Sequence, residues 1–89
     1  MGSNDLDRPL EAAGRAARSE ALFASLLPSD APPDRRAVTA AIQWAVRAYD
    51  GVGGCAAEMA AAYGKDPEVA AARMRWACHV VMAVFPEEA

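Results

Sequence analysis

The segment that ends at Phe85 constrains the fold more than any other part of this sequence. Asp66 and Pro67 form a typical helix start, because an aspartate side chain caps the first turn and a proline fits the first helical position. The chain then reads as one helix up to Pro86, and residues 76–85 are almost wholly apolar. A helix that is apolar on most of its sides has to be covered by other helices or by a second chain. We therefore expect this helix to be central in the fold or shared with a partner.

Three further helices are predicted before it. They run from Asp7 to about Leu27, from Asp34 to about Asp50 and from Cys55 to about Tyr63, and apolar residues recur at helical spacing in each. Three prolines within 28–33 end the first helix, and Gly64 is expected to stop the third in a left-handed conformation. No alternating strand pattern is visible. The predicted fold class is therefore all-α, a small four-helix bundle with a helix-turn-helix-like corner between the third and fourth helices.

The length of the chain, 89 residues, is that of one domain. We predict a flexible N-terminus over residues 1–5, a single helical domain over residues 6–86 and a C-terminal tail over residues 87–89. Alanine accounts for 23 of the residues and buries little area, so the larger apolar side chains have to supply the core. If they are too few for a stable monomer, self-association is the ordinary remedy.

Charge and hydropathy exclude several classes of protein. The formal net charge is −3, whereas general binders of nucleic acid carry a clear excess of basic residues. The longest apolar run falls far short of the roughly 20 residues that a membrane span needs. The N-terminus is polar and acidic, unlike an export signal, so we expect a cytoplasmic protein without membrane contact. In that compartment Cys55 and Cys78 are expected to stay reduced.

Catalytic and metal-binding signatures are weak. Cys55 follows two glycines at a predicted helix start, where the helix dipole lowers a thiol pKa, and His79 is a conceivable base. The alternative is that both residues are structural, because cysteine is among the most buried residue types and His79 lies in an apolar run. Cys55, Cys78 and His79 also lack the paired spacing of a structural zinc site. We predict no enzyme, no catalytic residue, no metal site and no cofactor.

Several residues around the predicted corner follow the spacing of a DNA-binding motif: Glu58-Met59-Ala60, Tyr63-Gly64, Ala70, Arg73 and Met74. Over residues 58–77 the chain resembles the helix-turn-helix of region four of sigma factors and of response-regulator output domains. The resemblance implies that the fourth helix enters the major groove with Arg73 facing the bases. If DNA is bound, we expect Lys65, Arg73 and Arg75 to carry the contacts.

The chain also departs from that motif at the corner itself. Lys65 stands where an apolar residue usually closes the turn, and Ala71 and Ala72 replace polar reading residues. Asp66 and Glu68 place negative charge at the start of the fourth helix, where it opposes phosphate.

The function that the sequence favours is that of a small, non-enzymatic regulatory or adaptor protein acting through helical protein–protein contacts. Tryptophan and methionine are enriched in such contacts, so we expect a homodimer or a complex with a protein partner. The expected partner-binding residues are Trp44, Trp76, Val80, Met82 and Val84. Two alternatives remain: the same side chains fill the core of a monomer, or the protein is a DNA-binding transcriptional regulator that uses residues 55–77.

Overall fold

A computed structural model describes residues 14–86, and this part of the chain forms four helices. They are α1 (Gly14–Ala24), α2 (Arg35–Ala48), α3 (Val52–Lys65) and α4 (Pro67–Val84). No strand occurs in the described part of the chain, and the helices pack against one another. The predicted all-α fold class and four-helix bundle are confirmed.

Both aspartate caps that the sequence predicts are present. The Asp34 carboxylate accepts hydrogen bonds from the backbone amides of Arg36 and Ala37 at 2.8 and 3.3 Å. The Asp66 carboxylate accepts one from the amide of Val69 at 3.2 Å. Each cap satisfies amides that have no partner within the first turn, which fixes where α2 and α4 begin.

The third helix is longer than the predicted Cys55–Tyr63, and Gly64 does not end it. The helix continues through Lys65, and Asp66 alone separates it from α4. The backbone of Asp66 is extended, with φ −154°, and its amide donates a hydrogen bond to the carbonyl of Ala62. Asp66 therefore makes the corner, and the predicted left-handed stop at Gly64 was wrong.

The left-handed backbone of the described chain lies between α2 and α3, at Asp50 with φ 60° and Gly51 with φ 110°. This tight connection brings the first turn of α3 against the end of α2. A Cβ atom at Gly54 would overlap the carbonyl oxygen of Tyr49 and lie 2.7 Å from its carbonyl carbon, whereas one at Gly53 would meet no atom within 4 Å. The contact between these two helices therefore depends on the absence of a side chain at Gly54.

The centre of the bundle is α1, because this helix contacts α2, α3 and α4. Its small side chains Ala17 and Ala21 permit close approach, and Leu22 is fully buried. The described part of α1 ends at Ala24, before the predicted end at Leu27. Its predicted start at Asp7, like the flexible terminus and the tail, lies outside the described residues.

The fourth helix is not surrounded, contrary to the expectation that it is central. Ala77, Val80 and Val81 are buried against the other helices, but His79 and Met82 are exposed on the outer side of α4. Much of the apolar character of α4 comes from alanine and other residues that tolerate contact with water. The apolar composition of the helix therefore does not require that every side of it be buried.

Phe85 closes the core just beyond α4. Its ring is 5% exposed, and the guanidinium carbons of Arg18 and Arg35 each lie 4.8 Å from the ring centroid. Arg35 Nη1 also donates a hydrogen bond to the carbonyl of Val84 at 3.1 Å. These cation–π contacts join the end of α4 to α1 and α2.

Candidate functional site

Arg73, the residue expected to read DNA bases, turns inward instead. Its side chain lies across the C-terminal end of α1, where helix carbonyls lack intrahelical partners. Three nitrogens of the guanidinium group donate hydrogen bonds of 2.7 to 3.4 Å. The acceptors are the carbonyls of Leu22, Phe23, Ser25 and Leu27, together with the hydroxyl of Ser29.

The same guanidinium group covers the ring of Trp76, with its carbon 4.4 Å from the ring centroid. Burial lowers the pKa of Arg73, in keeping with a cation withdrawn from water. In the free protein the Arg73 guanidinium group is therefore engaged on two sides within its own chain. Its expected contact with DNA stays a prediction.

Lys65 and Arg75, the other two predicted DNA contacts, are exposed. Arg75 lies two positions after Arg73, which turns it about 200° around the helix. Lys65 ends α3, next to the exposed acidic side chains of Asp66 and Glu68. Lys65 and Arg73 line the same cleft together with the acidic Asp66, whereas Arg75 is not part of that lining. The three cations therefore do not form one basic surface.

The five predicted partner-binding residues are also spread over different environments. Val80 is 6% exposed and belongs to the core, because it lies on the side of α4 that faces the other helices. Trp76 and Val84 are half-buried and pack against that core. Trp44 and Met82 line two separate clefts. Val80 therefore fills the core of the single chain, which is the alternative that the sequence left open for it, and the five residues do not form one surface.

The Leu26–Trp44 groove is an apolar cleft of about 360 Å³ between the α1–α2 connection and α2. Leu26 is 75% exposed, the largest exposed fraction among the large apolar side chains described. Its lining residues are Leu26, Leu27 and Pro28 from the connection and Ala37, Ala40, Ala41 and Trp44 from α2.

The sequence predicts that the first helix continues to about Leu27 with Leu26 on its apolar side, so the exposure of Leu26 was not predicted. Ser25 accounts for the difference: its hydroxyl donates to the carbonyl of Leu22 and accepts from the amide of Leu27. This local bonding replaces the next helical turn and directs Leu26 outward. A serine shortly before Pro28 was the available signal for an early helix end.

The two cysteines are free and differ in environment. Cys55 is fully buried, and burial, with a smaller contribution from the charge of Glu20, raises the pKa of its thiol. A thiol that resists ionisation is the reverse of an activated nucleophile. His79 is exposed on α4. Within residues 14–86, no three His, Cys, Asp or Glu side chains are placed to hold a metal ion.

Thiol labelling tests the difference in burial between Cys55 and Cys78. We expect Cys78, which is half-buried, to react with iodoacetamide at least about 100-fold faster than Cys55 in the folded protein, since Cys55 must wait for an opening of the structure. A Cys78→Ser chain isolates the slower thiol, and both thiols should react alike in denaturant. Fast labelling of Cys55 below the ordinary thiol pKa would indicate an activated nucleophile instead.

The raised pKa of the Cys55 thiol also determines the direction in which the stability of the folded protein changes with pH. Below the ordinary thiol pKa, Cys55 is protonated in both the folded and unfolded states, and its contribution to stability is fully present. As the pH rises, the unfolded chain loses this proton first, so the contribution declines and is lost once the pH passes the raised pKa of the folded state.

None of the helices within residues 14–86 is both long enough and apolar enough to cross a membrane. In comparisons with known proteins, no family model, no curated protein and no solved structure matches the chain. The choice of a function therefore depends on the surfaces described above.

Proposed function

We propose that this protein is a small, non-enzymatic regulatory or adaptor protein that acts through helical protein–protein contacts and associates with itself. Two free cysteines are in keeping with a cytoplasmic location, where thiols stay reduced. The buried, weakly acidic thiol of Cys55 supports a role without catalysis.

The observation that carries the proposal is the Leu26–Trp44 groove. Every residue that lines it is apolar, and one of them, Leu26, has three quarters of its surface in water. Contiguous apolar patches on soluble proteins mark surfaces that another molecule covers. An indole ring such as that of Trp44 is a common anchor in protein interfaces.

The alternative of DNA binding through residues 55–77 receives less support. Arg73 is engaged with α1 and Trp76, and Asp66 and Glu68 are exposed at the start of the helix that would enter the groove. Negative charge at that position opposes the phosphate contacts that supply most affinity for DNA.

Sedimentation velocity and light scattering of the whole chain test the proposal. Over a range of about 5 to 500 μM, we expect the mass to rise from that of one chain towards that of two, as for a dimer with a micromolar dissociation constant. A mass of one chain at every concentration would contradict self-association.

A further inference from the structure

We infer that two copies of this chain pair through the Leu26–Trp44 groove about a two-fold axis. This inference deepens the proposed self-association and rests on it. It names the surface and the occupant: the groove of one copy receives the same surface of the other.

The shape of the surface is complementary to itself. Leu26 lines the groove with 75% of its surface exposed, and Ala37 and Ala40, which line it from α2, carry only methyl side chains and leave room for an incoming leucine. In a two-fold contact the same patch occurs on both sides, so each copy provides one protruding leucine and receives one. Trp44 supplies a broad apolar wall for the incoming side chain.

The charges that flank the groove are also complementary. Asp30 and Asp34 are exposed in the connection on one side. Arg36 and Arg47 are exposed on α2, and because they are three helical turns apart they share one side of the helix, about 180° from the buried Val38. A two-fold axis that runs roughly along the groove brings the acidic edge of each copy onto the basic edge of the other.

Two other clefts fit a second copy less well. The cleft beside Val69 includes Lys65, Asp66 and Arg73 in its lining, and the cleft beside Met82 includes Arg15 and Glu20. Charged groups in an interface centre lose hydration, whereas the Leu26–Trp44 groove has no charged lining residue. Its apolar centre between charged edges is the arrangement that protein interfaces favour.

The central experiment compares Leu26→Glu with Val69→Glu by sedimentation. Both positions are largely exposed, at 75% and 64%, so both variants should keep the circular dichroism of the parent chain. We expect Leu26→Glu to raise the dimer dissociation constant roughly 100-fold or more, because the buried leucine is lost twice in each dimer. Val69→Glu should dimerise like the parent.

Charge reversal provides the second measurement. The double variant Arg36→Glu/Arg47→Glu should dimerise about 10-fold more weakly, and addition of Asp30→Arg should recover part of the loss. Arg75→Glu on α4 is the matched control and should have no effect. These variants leave the apolar lining intact, so they report on the charged edges alone.

The outcomes separate the two proposals. A parent chain that dimerises while Leu26→Glu and Val69→Glu behave alike overturns the groove as the contact surface and leaves self-association standing. A parent chain that is monomeric throughout overturns both.

Discussion

Gly54→Ala is expected to destabilise the protein by about 3 kcal/mol, as severe overpacking does. The new methyl group would overlap the backbone carbonyl of Tyr49, which unlike a long side chain has no other position to adopt. The start of α3 would have to move away from the end of α2 and open the contact around the buried Cys55. Urea unfolding followed by circular dichroism measures the loss.

Gly53→Ala is the matched control for this substitution. It adds the same methyl group one residue earlier in the same helix, where no atom lies within 4 Å. Because alanine favours helix over glycine, the variant should be unchanged or more stable by up to about 1 kcal/mol. Equal midpoints for the two variants would show that α3 does not approach Tyr49 as closely as described.

Arg73→Ala is expected to cost about 3 kcal/mol, which lowers the melting temperature of a domain of this size by roughly 12–24 °C. The change removes every hydrogen bond from the guanidinium group and leaves the carbonyls of Phe23, Ser25 and Leu27 without this donor. It also uncovers one face of Trp76. Thermal unfolding and the tryptophan emission spectrum report the two effects.

Arg75→Ala provides the control, because it removes the same charge from an exposed position on the same helix. Its effect should stay within about 0.5 kcal/mol. Arg73→Lys keeps the charge but cannot reach several carbonyls at once, so it should retain only part of the stability. If Arg73→Ala and Arg75→Ala unfold at the same temperature, the bonds to α1 contribute nothing.

The starts of α2 and α4 were predictable from the sequence, whereas the start of α3 at Val52 and its end at Lys65 were not. Asp34 and Asp66 cap their helices with their own side chains, so the signal lies within three residues. The end of α3 does not depend on Gly64, since the extended backbone of Asp66 turns the chain and glycine is free to remain helical. A residue that permits a turn does not require one.

The candidate site was harder to predict, because its residues acquire their roles from distant parts of the chain. Arg73 reads locally as one of several cations near a helix start, and its acceptors lie about 50 positions earlier in the sequence. Leu26 fits a helical apolar stripe until Ser25 ends the turn beneath it. The partner-binding role of Trp44 stays a prediction, and three of its six neighbours in the groove are alanines, which the sequence pattern alone assigns to no surface.

Asp66, the single residue between α3 and α4, makes hydrogen bonds to both helices. Asp66 holds the last turn of α3 through its amide and the first turn of α4 through its carboxylate. Fraying at either terminus therefore removes a hydrogen bond that holds the other, so we expect the end of α3 and the start of α4 to open together. A protein partner that binds the end of α3 would then also stabilise the start of α4, without contacting it.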